Sequence, residues 1–205
     1  MNTLIERPAT IRFTAIASGV IVVAWAAAVI VSAQTGLLGR LWMPSIAALV
    51  AAGIAIPTAL YLTVASVRAL ASAIGLRAIT AFHVWRIPAA ILFFWFGLQG
   101  ELPPAFWILA GVGDFIAGAW ALRVALRANA DLADYRAMHR FGFADFVVAV
   151  GTGLTFTLLL DPRMAPIAQL PLALIPLFGV GLSGATHIIA FDLIRRGNLA
   201  IKESM

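Results

Sequence analysis

The chain has 205 residues, of which 62% are hydrophobic and only 11% charged, and its mean hydropathy is +1.00. This composition excludes an ordinary soluble domain, which would carry far more Lys, Glu and Asp. The pI near 11.0 does not indicate nucleic-acid binding, because the arginines lie between apolar runs rather than on one solvated face. The absence of cysteine excludes disulfides, thiolate metal sites and cysteine nucleophiles.

Six apolar runs are long enough to cross a bilayer as helices of about 20 residues. They cover roughly Phe13–Ala33, Leu41–Val67, Ala78–Leu98, Pro104–Leu126, Met138–Leu160 and Pro171–Ile194. Gly and Pro mark short turns near Gly36, Gly75, Gly100 and Pro162. Because lipid tolerates only helices or closed barrels, and these runs lack strand alternation, the sequence predicts an all-α bundle of six transmembrane helices. Residues 1–205 are expected to form a single membrane domain.

The first run has an alternative interpretation. Arg7 and Arg12 precede an apolar segment that ends in Val31-Ser32-Ala33, which resembles a secretory signal with a small-residue cleavage site. The run is longer than the usual apolar core of about 7–15 residues, and Glu6 weakens its basic flank. An uncleaved transmembrane helix is therefore the favoured interpretation.

Basic residues are distributed unevenly between the two sides of this bundle. One side holds Arg7, Arg12, Arg68, Arg77, Arg123, Arg127, Arg136, Arg140, Arg195, Arg196 and Lys202. The other side holds Arg40 and Arg163, and Arg86 lies inside a predicted span. By the positive-inside rule, both termini are predicted to be cytoplasmic. The long polar connection that contains Asp131 and Asp134 is predicted to cap the start of the fifth helix.

Four ionisable residues lie at similar depth in successive spans: Arg86, Asp114, Asp145 and His187. Each is a functional-site candidate, because an isolated Arg or Asp at a helix centre costs about 2.5–3.5 kcal/mol on insertion scales. They lie on stripes of small residues, where helices approach closely, so they should face one another. Arg86 is expected to pair with Asp114 or Asp145, or to bridge both with its forked guanidinium. Pro88 leaves the carbonyl of Val84 without a donor beside Arg86.

The histidines suggest a second use for this interior. His83 lies one turn before Arg86, and with His187 it would give the two axial ligands of a haem b. No c-type attachment motif is present. His139, which stands between Arg136 and Arg140, is predicted to lie at the level of the lipid headgroups. The sequence thus predicts no metal and no cofactor, with haem b on His83 and His187 as the alternative.

Several short motifs carry a family resemblance. They are Val84-Trp85-Arg86, Gly100, Leu102-Pro103, Ala110-Gly111-Val112-Gly113-Asp114, Gly118, Gly142, Asp145, Ala149, Leu174-Ile175-Pro176 and His187. Over residues 80–195, this pattern resembles a widespread family of uncharacterised bacterial integral membrane proteins. The resemblance implies a small multi-span inner-membrane protein with Arg86, Asp114, Asp145 and His187 as its polar set, and it implies no activity. The chain departs from the family at Met138-His139, where a Trp-Asn pair is usual, and at His83.

The resulting expectation is a multi-pass protein of the bacterial inner membrane that provides a small-solute or proton pathway through the Arg86–Asp114–Asp145–His187 cluster. No motif specifies a reaction, so an enzyme is not favoured. A haem-binding redox module and an accessory protein with a purely structural polar core remain the alternatives. The expected partner is the lipid bilayer rather than nucleic acid, and a homo-oligomer or another membrane partner stays open.

Orientation can be measured with reporter fusions. A fusion at the carboxyl terminus and one within the 127–136 connection should report the cytoplasm, and a fusion near Glu101 should report the periplasm, because most arginines and lysines are retained on the cytoplasmic side. A periplasmic signal from the carboxyl-terminal fusion would contradict this orientation.

Overall fold

A computed structural model describes residues 8–197, and within that range the chain is helical, without a strand. Its α-helices are α1 (Pro8–Gln34), α2 (Leu37–Arg40), α3 (Met43–Thr63), α4 (Ala65–Phe82), α5 (Arg86–Leu98), α6 (Pro104–Leu126), α7 (Leu132–Leu158) and α8 (Val180–Arg195). Two 3₁₀ segments cover His83–Trp85 and Pro162–Ala168, and a π-helical turn covers Ile175–Gly179.

Six helical stretches are long and apolar enough to span a membrane, which confirms the predicted all-α membrane bundle. They are α1, α3, Ala65–Leu98, α6, α7 and Ile175–Arg195. The protein is therefore a multi-pass membrane protein.

Gly75 has φ 77° and ψ 164°, so the α-helical geometry of α4 is interrupted there, where the sequence predicts a turn between the second and third spans. A positive φ of this kind is accessible to glycine at little cost. The fifth span begins at Leu132 rather than Met138, because Asp131 and Asp134 form a capping box at its start. The predicted cap is thus confirmed, and it adds more than a turn to the amino-terminal end of α7.

The polar residues lie in a layer between two apolar clusters. The first cluster includes Phe93, Ala110 and Leu177, and the second includes Ile79, Ala121 and Leu193. Along each inner helix the polar residue falls between members of the two clusters. Arg86 lies between Ile79 and Phe93, Asp114 between Ala110 and Ala121, and His187 between Leu177 and Leu193. Apolar packing therefore encloses the polar layer on both sides.

Helix α1 lies at the periphery and exposes large apolar side chains. Phe13 is 73% exposed, Ile16 69% and Val23 68%. In water, such a surface would be unfavourable, but hydrocarbon accepts it without cost. This face fits contact with lipid.

The connection after α7 is held by a local ion pair outside the spans. The Asp161 carboxylate caps the 3₁₀ segment by accepting from the Arg163 backbone N–H at 2.9 Å, and it also accepts from Arg163 Nη2 at 2.6 Å. These bonds hold the pKa of Asp161 below its usual value. The segment that follows supplies Met164 and Ile167 to the first apolar cluster.

Candidate functional site

Arg86 is the first residue of α5 and follows directly on the 3₁₀ turn His83–Trp85. The break in α-helical geometry matches the position of Pro88, which cannot donate to the carbonyl of Val84. The turn directs the arginine side chain into the bundle, where only 2% of the residue is exposed.

The Arg86 guanidinium binds three groups on two neighbouring helices. Its Nε donates to Asp114 Oδ1 on α6 at 2.6 Å, and its Nη2 forms an ion pair with Asp145 Oδ2 on α7. Its Nη1 donates to the carbonyl of Gly142, also on α7, at 3.0 Å. Of the two predicted arrangements, the structure therefore has the one in which Arg86 bridges both aspartates. The planar fork of donors suits this task better than the single ammonium group of a lysine would.

Two glycines make room for this cluster. A Cβ atom at Gly113 would overlap the Asp145 carboxylate. A Cβ atom at Gly142 would lie 2.8 Å from His187 Cε1 and 3.3 Å from Arg86 Nη1. Helices α6, α7 and α8 can therefore approach one another at the cluster only because these positions lack side chains.

The three histidines of the chain lie together beside Arg86, and all three are fully buried. The His139 and His187 Nδ1 atoms are 2.9 Å apart, and the His83 and His187 rings lie against each other with centroids 4.1 Å apart. The Thr80 hydroxyl binds His139 Nε2 at 3.0 Å, and the Thr186 hydroxyl binds His83 Nε2 at 3.2 Å. We call His83, His139 and His187 the histidine cluster.

The prediction for His139 was wrong. This residue is 0% exposed and belongs to the histidine cluster, not to the headgroup region. The reason is the early start of α7 at Leu132, which places His139 two turns inside the helix. On this helix, His139, Gly142 and Asp145 follow one another at intervals of three, so they share one face.

The ring packing bears on the haem alternative. Two axial imidazoles bind iron from opposite faces of a porphyrin, which must lie between them. The His83 and His187 rings instead lie against each other, with centroids 4.1 Å apart and an interplanar angle of 31°. This arrangement does not fit a haem held by both residues.

A cavity of about 400 Å³ reaches the ion pair of Arg86 and Asp114. Near the helix ends it is lined by Pro44, Leu158 and Met164, and at its inner end by Arg86 and Asp114. The walls are almost entirely apolar, with contributions from α3, α5, α6, α7 and α8. Cavities of this size are typical of small-molecule sites. Sequence reasoning had no signal for it, because its walls come from five different helices.

Several polar partners also escaped the sequence analysis. The Trp85 indole donates to Ser183 Oγ at 3.0 Å, which ties the 3₁₀ turn to α8. The Tyr61 hydroxyl donates to Asp192 Oδ2 at 2.6 Å, which ties the end of α3 to the end of α8. Thr80 and Thr186 orient histidines. Hydroxyl residues are common in helices, so their roles follow only from the three-dimensional packing.

Removing Arg86 should destabilise the protein strongly. Arg86→Ala leaves two buried carboxylates without a counter-charge, which in soluble proteins costs about 3–5 kcal/mol and in membranes somewhat less. Thermal unfolding in detergent should show a clear drop in the midpoint, and adding Asp114→Asn and Asp145→Asn should each restore part of it.

The matched control for this experiment is Arg127→Ala. Arg127 also forms an ion pair, with Asp134 at 2.8 Å, but its side chain is 57% exposed. Exposed pairs contribute about 0–1 kcal/mol, so this change should have little effect. Equal stability of the Arg86→Ala and Arg127→Ala variants would contradict a structural role for the buried bridge.

Comparison with known proteins gives a family but no function. A family model described as "Domain of unknown function (DUF8737)" matches residues 43–195, which include every residue of the polar layer described above. Neither a curated protein nor a solved structure matches the chain. Helix α1 lies outside the matched range. Since the match covers most of the sequence, the chain belongs to the DUF8737 family.

Proposed function

We propose that the protein provides a small-solute pathway in the bacterial inner membrane and that the Arg86–Asp114–Asp145 cluster gates it. The observation that supports this proposal is the cavity of about 400 Å³ that ends on Arg86 and Asp114. A purely structural polar core needs no such space, because a salt bridge that only fixes helix packing is best surrounded by close-packed side chains.

The cavity walls describe the solute. Side chains such as Ile54, Phe93 and Phe146 would accept an apolar body, since they offer neither charge nor hydrogen bonds. The inner end would accept a polar head group at Asp114. The solute that fits is therefore a small amphipathic molecule rather than a hydrated ion.

The charges at the inner end define the head group more narrowly. The cluster contains one guanidinium and two carboxylates, so it carries one excess negative charge when all three groups are ionised. An unbalanced charge in a dry interior is costly. A cationic or hydrogen-bond-donating head group would compensate it, whereas an anionic one would have to displace a carboxylate from Arg86. We therefore favour a small amine-like solute.

Cysteine labelling tests access to the cluster in a chain that has no cysteine of its own. Ala149→Cys places a thiol in the cavity wall, and Ala121→Cys, at a fully buried position in the second apolar cluster, is the matched control. A methanethiosulfonate reagent with a trimethylammonium head should label Ala149→Cys in membranes much faster than Ala121→Cys. Adding Asp114→Asn should slow labelling by this cationic reagent more than labelling by a neutral methyl reagent, because the substitution removes an attracting charge.

Two results would count against the pathway. If Ala149→Cys reacts no faster than Ala121→Cys in folded protein, although both react fully in denaturant, the cavity has no access and the accessory-protein alternative is favoured. If Asp114→Asn changes the labelling rates with the two reagents by the same factor, the head group is not selected by charge.

A proton is a second candidate for the transported species, and the same charge excess favours it. One proton on the cluster neutralises it, and a carboxylate that gains and loses a proton within a membrane is a common element of proton pathways. In liposomes that contain a pH-sensitive dye, the wild-type protein should speed the decay of an imposed pH gradient, and Asp114→Asn should abolish this effect. Asp134→Asn, which changes an exposed ion pair, is the control. Equal decay for the wild-type and Asp114→Asn proteins would exclude this candidate.

A further inference from the structure

The histidine cluster holds all three histidines of the chain at one buried point. His83 comes from the turn before α5, His139 from α7 and His187 from α8. One ring nitrogen from each lies within 4.8 Å of the other two. None of these residues is among those that line the cavity, so the cluster is separate from the proposed solute site.

Hydrogen bonding favours one tautomer of His83. The Thr186 hydroxyl has a single proton, and its oxygen lies 2.7 Å from the carbonyl of Leu182 and 3.1 Å from that of Ser183. When this proton is donated to the α8 backbone, Thr186 Oγ1 accepts from His83 Nε2–H. In the neutral ring, His83 Nδ1 then carries a lone pair, and it has no hydrogen-bond partner among residues 8–197.

His139 also binds a threonine through Nε2 and directs Nδ1 towards another histidine. Thr80 Oγ1 binds its Nε2 at 3.0 Å, and its Nδ1 faces the Nδ1 of His187 at 2.9 Å. With zinc–nitrogen distances of about 2.0–2.1 Å, two imidazole nitrogens on one tetrahedral ion lie about 3.4 Å apart. The observed separation is within half an ångström of this value, so a small opening of the pair would admit an ion.

Mutual packing alone does not account for the cluster. Within the described part of the chain, His83 Nδ1 and His187 Nε2 are the buried side-chain polar atoms that lack a partner. A buried polar atom without a hydrogen bond destabilises the folded state. A bound ion would use the lone pair of His83 Nδ1 and would replace the single proton that His139 and His187 share between their Nδ1 atoms, while His187 Nε2 would keep its own proton.

We propose that His83, His139 and His187 bind one first-row transition-metal ion of the zinc type, through one nitrogen each and with a fourth position open. Three neutral imidazoles without a thiolate suit zinc, cobalt, nickel or copper rather than magnesium or calcium. Thr80 and Thr186 are the outer hydrogen-bond partners that orient ligand histidines in such sites.

Zinc binding can be measured on the full-length protein in detergent. It should be purified with a tag free of histidine, treated with chelator, incubated with zinc sulfate and desalted. Elemental analysis should then give one zinc per chain, and X-ray absorption should show nitrogen ligands at about 2.0–2.1 Å. Cobalt in place of zinc should give the visible absorption of a tetrahedral site. His83→Gln, His139→Gln and His187→Gln should each lose the bound zinc.

A milder variant guards against misfolding of the histidine variants. Thr186→Val leaves the three ligands in place but removes the hydroxyl that orients His83, so zinc affinity should fall about 10–100-fold. Thr152→Val is the matched control, since the Thr152 hydroxyl also donates to its own helix, at Val148, but contacts no histidine. This variant should bind zinc like the wild type.

Three results would overturn the proposal. They are a wild-type protein that retains no zinc and gives no cobalt spectrum, zinc that remains bound when all three histidines are replaced, and equal zinc affinity for the Thr186→Val and Thr152→Val proteins. None of these measurements depends on solute access. The zinc results can therefore contradict the metal site without contradicting the solute pathway, and the labelling results can contradict the pathway without contradicting the metal site.

Discussion

The buried guanidinium of Arg86 is the constraint on which the rest of the interior depends. A charge that cannot leave the membrane core must find its counter-charges inside the protein. Arg86 finds them on α6 and α7, and it takes a backbone carbonyl of α7 as well. Because one side chain binds both helices, their rotation and depth relative to α5 are coupled. The two apolar clusters then pack above and below a layer whose position the ion pairs have set.

This arrangement combines a buried polar layer with a cavity that touches it. In membrane bundles, polar side chains commonly hydrogen-bond across closely packed helix interfaces. Here, the inner end of a cavity is formed by two members of the ion-pair network, Arg86 and Asp114. A molecule that enters the cavity would therefore act directly on the interaction that holds α5, α6 and α7 together. Binding and helix packing are linked through the same atoms, which is what a gated pathway requires.

The sequence allowed much of the fold and the core of the site to be predicted. Hydropathy and length identified six spans, since lipid leaves few alternatives, and small-residue stripes indicated that Arg86, Asp114 and Asp145 face inward. The prediction failed for His139 because it depended on where α7 begins, and neighbouring arginines suggested a surface position that the capping box at Asp131 excludes. The pairing of His83 with His187 was predicted, but the cavity and the place of His139 beside these two residues could not be, because they depend on distances that helix packing sets between residues far apart in sequence.

The two glycines at the cluster restrict how this protein can evolve. Gly113 is needed only while Asp145 occupies the space in front of it, and Gly142 only while His187 and Arg86 approach α7 there. Each glycine and its neighbour should therefore change together. A related chain that has lost the carboxylate at the position of Asp145 is free to carry alanine or serine at the position of Gly113, whereas one that keeps the acid is not. Paired substitutions at these positions across related sequences would mark the lineages in which the polar layer has been abandoned, before any activity is known.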